Sequence, residues 1–304
     1  MKINEIETPA LILDKQTFEY NLERMDQLLE GTTMKLRPHY KSNKCAEIAK
    51  LQIKRGAAGI TCAKLGEAED LANAGIENIL IANQVVQPSK VKRVAELAKD
   101  RYIIICVDDK DNIKALSDAA VEADSQIHVL VEYEVGMKRC GVDTYDEFIE
   151  LAELIDKSEG LIFEGIQAYG GHMAHEHSLE TRIAETNRIE NEVRELKALL
   201  EAKGLKVKEV GGGSTGTIEQ KAKDTVYTDI QAGSYIFMDN AYGQLHLGFK
   251  NALFVLTTVI STKKDRVVTD TGVKSLGMDQ GDPVFLGVPE GSPISMSEEH
   301  GAVY

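Results

Sequence analysis

The sequence predicts an α/β chain: a (β/α)8 TIM barrel over residues 1–244, plus a smaller C-terminal β-domain over 245–304 that is expected to be incomplete. Three observations carry this. Short β-branched runs bounded by turn residues recur eight times, a helical pattern follows each, and that patterning stops after about Leu245. Eight parallel strands with eight helical returns in roughly 240 residues match the size and period of a barrel, an open doubly wound sheet being the alternative.

An amphipathic segment over 15–29 comes first, and the strand candidates follow at 34–38, 59–63, 78–82, 102–108, 127–133, 161–169, 207–210 and 228–231. Thr144 and Glu147 form a capping box ahead of one return helix. After Ser178, a stripe of Leu179, Ile183, Val193, Leu196 and Leu200 predicts a long helix that stops at Gly204. Beyond Leu245, the runs 252–261, 266–269 and 284–287 alternate with polar turns and carry no helical period. A β-domain of about 60 residues is small for independent stability, so further chain, the barrel or a second subunit is expected to complete it.

The 304 residues are 43% apolar and 28% charged, enough to bury one sizeable core. Thirty-five basic against forty-nine acidic residues leave a net charge of -14, which argues against nucleic acid or an anionic membrane as partner. Cys45, Cys62, Cys106 and Cys140 lack metal spacing and lie in or beside apolar runs, so they are expected to be buried and reduced in a cytoplasmic protein. No run approaches the ~18–20 apolar residues of a membrane span, and the first residues have no signal-like apolar stretch.

Barrel enzymes work at the carboxyl ends of their strands, where this chain concentrates its unusual residues. Lys41 follows the first strand, Asn83 and Gln84 the third, and Arg139 the fifth; Tyr169 ends the sixth, with His172 and His175 just beyond. The cluster from Gly211 to Thr217 offers unshielded backbone N–H groups and hydroxyls, suited to a phosphate. It contains the dinucleotide pattern as Gly211, Gly213 and Gly216, but it does not open a βαβ unit and no acid follows about 20 residues on. With Gly233, Ser234 and Tyr235 after the eighth strand, it instead occupies the phosphate position of barrels, two tight turns being the plainer reading. A phosphate site and a lysine facing one mouth imply a phosphorylated carbonyl, for which pyridoxal phosphate is the economical candidate. Each residue has a plainer role as well. Lys41 or its neighbour Lys44 could be a solvated loop lysine, Arg139 could pair with Glu132 or Glu134, and Tyr169 could close the core. His172, His175 and His177 do not have the spacing of a standard metal set.

The stretches RPHYKSNK (37–44), EYEVGMKRCGVD (132–143), FEGIQAYGGHMAH (163–175), GGGSTGT (211–217), TDIQAGSYIFMD (228–239) and SEEHG (297–301) resemble the D-threonine aldolase and D-serine dehydratase family. Its members are pyridoxal-phosphate enzymes of the alanine-racemase-like fold. The resemblance implies that Lys41 is the Schiff-base lysine, that Arg139 neighbours the cofactor's phenolic oxygen, and that Tyr169 hydrogen-bonds the ring nitrogen. It places the phosphate on Gly213, Ser214, Thr215 and Gly216 and on Gly233, Ser234 and Tyr235. It gives His175 the part of a base or of a substrate contact; His39, Gln84 and His172, at the strand ends, are expected to contact substrate, His39 also supporting the loop of Lys41. It further implies a homodimer with the active site between subunits, and a divalent metal (Mn, Mg or Zn) whose ligands lie beyond Tyr304, so none is assigned here. Asn43 stands where the family more usually has a second histidine.

The expected activity is therefore that of a lyase on a D-configured β-hydroxy amino acid, leaning to retro-aldol cleavage into glycine and an aldehyde. β-Elimination by a D-serine dehydratase-like enzyme is the alternative, followed by racemisation, for which no second base is identified. A pyridoxal-phosphate-binding protein without turnover is the reading from another class, against which the β-rich C-terminal stretch argues.

Overall fold

A computed structural model describes residues 2–219, 225–278, 281–289 and 291–304. The chain divides into two compact units, one of Asp26–Gly233 and one joining Met1–Met25 to Ser234–Tyr304. In chain order the strands are β1 (Ala10–Leu13), β2 (Lys35–Leu36), β3 (Ile60–Cys62), β4 (Asn78–Ile81), β5 (Tyr102–Val107), β6 (Ile127–Glu132) and β7 (Leu161–Ala168). There follow β8 (Glu209–Gly212), β9 (Asp229–Ile230), β10 (Leu253–Leu256), β11 (Val259–Thr262), β12 (Val267–Thr269), β13 (Ile294–Met296) and β14 (Gly301–Val303). The helices are α1 (Lys15–Leu29), α2 (Ala46–Lys54), α3 (Leu65–Asn73), α4 (Pro88–Leu97), α5 (Lys110–Ala123), α6 (Tyr145–Lys157), α7 (Leu179–Ala202) and α8 (Asn240–Gly243).

In the larger unit, β2 to β9 form one parallel sheet in the order β2-β9-β8-β7-β6-β5-β4-β3. Its two ends meet. Ala58 N donates to Leu36 O at 2.8 Å, Thr61 N donates to Pro38 O at 2.9 Å, and His39 bridges Thr61 in parallel, which closes the sheet into the expected barrel. Side chains alternate across each strand. Leu80, Ile104, Cys106 and Leu130 pack as one buried cluster, and the alternate residues Ile79, Ile81, Ile103, Ile105, Val129 and Val131 are equally buried on the opposite face. This two-sided burial explains the continuous apolar runs.

A bulge in β7 shifts the pairing from Val129 with Phe163 to Leu130 with Gly165. It lets Glu164 meet Tyr102 and His128 while Gln167 faces Gln231. Gly165 makes this possible: its φ is +147°, and a Cβ there would lie 1.9 Å from Glu209 O. Near the starts of the strands, Arg37 reaches Asp229, Asn78 and Glu209 with three of its donors. Higher up, Gln167 and Gln231 exchange two amide hydrogen bonds at 2.8 and 2.9 Å.

In the smaller unit, β1 pairs antiparallel with β10, from Ala10 with Leu256 to Leu13 with Leu253. The strands β11, β12, β14 and β13 form a four-stranded antiparallel sheet in that order. Fully buried Asn21 on α1 ties this unit together, donating to Ile236 O and Lys250 O and accepting from Lys250 N.

Several expectations are corrected. The seventh strand lies at Glu209–Gly212 rather than 207–210, so Gly211 and Gly212 belong to the sheet; a Cβ on Gly212 would come within 2.3 Å of Ala168 O. Between β8 and β9 the described residues form a 3-10 turn, Thr215–Thr217, in place of a helical return. On α7, Leu179 and Ile183 are exposed, and the buried stripe runs through Arg182, Thr186, Ile189, Val193, Leu196 and Leu200. The run 252–261 divides into β10 and β11, which belong to different sheets. Residues 284–287 form no strand, and both Val284 and Leu286 are exposed because no neighbouring edge pairs with them. Cys62 and Cys106 are buried, whereas Cys45 and Cys140 are only half-buried because both sit in loops; all four are free. Among the described residues, no helix is long and apolar enough to cross a membrane.

Candidate active site

Past the end of β2 the ladder continues, with Arg37 N donating to Ile230 O at 2.9 Å and His39 N to Ala232 O at 3.1 Å. The chain then turns through a 3-10 segment, Tyr40–Ser42, which presents Lys41. Buried His39 braces this turn: its Nδ1 accepts from Lys41 N at 3.3 Å, and its carbonyl accepts from Ser42 Oγ at 3.0 Å. Burial, reinforced by the charges of Lys41 and Arg139, lowers the His39 pKa to about 3. The ring is therefore neutral, with its proton on Nε2. Tyr40 donates to Asp70, which pins the turn from its other side.

Lys41 Nζ lies 5.8 Å from the centroid of the Tyr169 ring, and Arg139 Cζ lies 5.4 Å from the same centroid. Residues from the ends of β2, β6 and β7 thus converge on one ring. Lys44, the other lysine of the run, turns to Glu67 at 3.1 Å instead. Burial and then Arg139 lower the Lys41 pKa, against a smaller opposing effect of Glu67. A larger fraction of free amine is the result, as a nucleophile toward a carbonyl requires. Burial raises the Tyr169 pKa, partly offset by Arg139, which keeps the phenol neutral.

The partner of Arg139 is Glu132, with Nη2 3.5 Å from Oε1. The other oxygen of Glu132 accepts from Gln84 Nε2 at 2.6 Å. Glu134 instead turns back on its own loop, where its carboxylate accepts from the backbone N–H groups of Gly136, Met137 and Lys138 and shapes the segment that carries Arg139. The end of β6 separates the two acids. Glu132 continues the inward series of His128 and Leu130, whereas Glu134 lies beyond the strand.

His172 Nε2 lies 3.2 Å from Glu185 Oε1 on α7, so the structure engages this residue with the helix that follows β7. His175 is exposed after the 3-10 turn Gly171–Met173. Among the described residues, no group of three or more His, Cys, Asp or Glu converges in a manner that could hold a metal ion.

The glycine turn after β8 has the makings of an anion cradle. Gly213 adopts φ +67°, a Cβ on Gly216 would lie 2.5 Å from Ala174 O, and Ser214 Oγ is buried with no hydrogen-bond partner in the structure. Thr215 is buried in the same turn. Gly233, at the end of the β9 segment, packs against the Lys41 loop, where a Cβ would meet His39 Cβ at 3.3 Å. In the smaller unit, Ser234 opens the 3-10 turn Ser234–Ile236; Tyr235 there is fully buried, its ring 5.8 Å from that of Phe249. An orphaned buried hydroxyl, a backbone cradle open only to glycine and a lysine with a lowered pKa fit a group that carries both an anionic tail and a carbonyl.

Comparison with known proteins gives the same outline. Residues 13–241 match the family described as alanine racemase, N-terminal domain, and residues 252–304 match a putative serine dehydratase domain. The chain is 40% identical to a D-threonine aldolase of Arthrobacter sp. over 98% of this chain and 80% of that protein. It is 38% identical to a 3-hydroxy-D-aspartate aldolase of Paracoccus denitrificans over 100% of this chain and 81% of that protein. The crystal structure of D-threonine aldolase from Filomicrobium marinum superposes with a TM-score of 0.93 at 37% identity, covering 99% of this chain and 83% of that one.

Proposed function

Because the chain belongs to the alanine racemase N-terminal domain family, with a serine dehydratase-type C-terminal domain, we propose that it is a pyridoxal-phosphate-dependent lyase. It cleaves D-configured β-hydroxy amino acids by retro-aldol chemistry into glycine and an aldehyde. The observation that carries this reading is the convergence of Lys41 and Arg139 on the Tyr169 ring, in a barrel whose relatives over the full chain are D-threonine and 3-hydroxy-D-aspartate aldolases.

When bound, pyridoxal phosphate supplies a carbonyl for amines and a ring that takes up the electrons released at the substrate Cα. Lys41 presents a free amine to that carbonyl, its pKa lowered by burial and Arg139. Ser214, Thr215 and the backbone of Gly213 and Gly216 would hold the anionic tail, with Gly233 against the Lys41 turn; Ser234 and Tyr235 are assigned to the same anion. Arg139 would supply a fixed positive charge to the bound group, and Tyr169 would offer it a neutral phenol. A phenol withdraws less electron density than a protonated nitrogen held by a carboxylate would, which suits a reaction needing only a short-lived carbanion. His175 is assigned the removal of the β-hydroxyl proton, which drives Cα–Cβ scission. His39 fixes the Lys41 turn, and His172 and Gln84 keep their proposed places near the substrate. A divalent cation is kept as an activator, with no ligand assigned among these residues. A homodimer in the cytoplasm completes the reading; exposed Leu11 and Leu13 on β1 are in keeping with a subunit contact.

The match of residues 252–304 to a serine dehydratase domain favours one second reading, β-elimination to a keto acid and ammonia. Product analysis with D-threonine, D-serine and D-3-hydroxyaspartate, with and without manganese, decides between them. Glycine plus aldehyde is expected. Keto acid plus ammonia would move the assignment to the dehydratase, epimerised substrate to a racemase, and no product at all to a binding protein.

A further inference from the structure

We infer that Glu132 and Gln84 are positioning residues that together hold the Arg139 guanidinium beside Lys41. The inference rests on the reading that Lys41 and Arg139 face the reacting group, and it deepens that reading by naming what sets their geometry.

Arg139 sits in a loop with its side chain about half exposed, and a long side chain so placed has much rotamer freedom to lose. The Glu132 side chain is only 6% exposed, on a strand of the barrel wall. Its two oxygens face different partners: Oε2 takes the 2.6 Å hydrogen bond from Gln84, and Oε1 faces Arg139 at 3.5 Å. Gln84 thus fixes the carboxylate in rotation, leaving one oxygen to hold the guanidinium over Tyr169. Gln84 Oε1 is itself buried without a hydrogen-bond partner, so the amide is anchored through its Nε2 bond to Glu132. A buried carboxylate is costly unless paired, which couples the three groups.

The surrounding charges define what an experiment would read. Lys41 faces Arg139, Glu67 and the neutral rings of His39 and Tyr169, and Glu132 faces Arg139 with Asp108 nearby. Asp108 is occupied by Gly141 N at 2.9 Å. Arg139 lowers the Lys41 pKa, so a guanidinium released from Glu132 would let that pKa rise. A direct field effect of Glu132 has the opposite sign, because removing a negative charge lowers a lysine pKa.

The test measures the pH midpoint of Lys41 acylation by peptide mass analysis, in the full chain freed of cofactor with hydroxylamine. Arg139→Leu is expected to raise the midpoint. Glu132→Leu should raise it by at least half as much. Glu132→Gln, which keeps an amide oxygen for Arg139, should raise it less, as should Gln84→Leu. The Glu132→Leu/Arg139→Leu double variant should match Arg139→Leu alone. An unchanged or lowered midpoint in both Glu132 variants, additive shifts in the double variant, or an unmoved midpoint in Arg139→Leu would each overturn the inference. Because cofactor is absent, attachment of cofactor at another lysine would sink the proposed function without touching this result.

Discussion

Arg37 and Asp229 form a buried ion pair, with Nε 3.1 Å from Oδ2 and both side chains 3% exposed. The same guanidinium also serves Glu209 Oε2 at 2.9 Å, so two carboxylates share one cation. Glu209 Oε1 and Asp229 Oδ1 remain buried without a hydrogen-bond partner in the structure. Burial, followed by the charge of Asp229, pushes the Glu209 pKa well above the carboxylate range. The folded state thus retains a proton that the unfolded chain releases, and stability present at acid pH is lost as pH rises toward the folded pKa.

Glu209→Gln should therefore stabilise the protein at pH 7 to 8 by about 1 kcal/mol, since an amide satisfies Asp229 without needing that proton. Urea unfolding of both forms checks this, and a variant less stable at pH 8 would count against a shared proton. Arg37→Leu should act in the opposite direction, costing about 3–5 kcal/mol by stranding both acids.

His39 contributes a slope of the other sign. Its pKa falls from 6.5 to about 3 on folding, so between these values the unfolded chain binds a proton that the folded one refuses. The stability present above the unfolded pKa is lost as pH falls through the window. Replacing His39 with Gln, which still offers Lys41 N an acceptor, should flatten the decline by on the order of 1 kcal/mol per pH unit over that range. Parallel unfolding curves at every pH would show that His39 is already charged in the fold.

Lys41, and not Lys44, should carry the pyridoxyl label after incubation with pyridoxal phosphate and reduction with borohydride. Lys44 is committed to Glu67 and lies outside the Tyr169 contact. Peptide mapping decides, and a label on Lys44 would refute the assignment. Lys41→Ala should lose the label and at least about a thousandfold in turnover, the scale of losing a covalent nucleophile.

Tyr169→Phe should shift the absorbance of bound cofactor and leave the fold intact, because the aromatic body that Lys41 and Arg139 rest against remains. An unchanged spectrum would remove the phenol from the ring-nitrogen position.

The barrel was legible because burial on both faces of its strands forces continuous runs such as 102–107 and 127–132, with turn residues to mark their ends. Lys41, Arg139 and Tyr169 were legible as strand-end residues, and the structure brings all three to one ring. The partner of Arg139 was not, since choosing between Glu132 and Glu134 requires knowing where β6 ends. Gln84 pointed to substrate by its position, yet its amide turns to Glu132, a contact between strands that one-dimensional spacing does not encode. β1 escaped notice for a similar reason: four residues, Ala-Leu-Ile-Leu, become a strand only because β10 lies alongside.

That pairing orders events in time. Leu13 meets Leu253, 240 positions later in the chain, and a ribosome adding ~5–20 residues per second takes roughly 12–50 s to cover that distance. β1 therefore waits for its neighbour until the sequence of the larger unit has been made. Throughout that interval the nascent chain carries an apolar segment with open backbone groups, exposed to pairing with other chains.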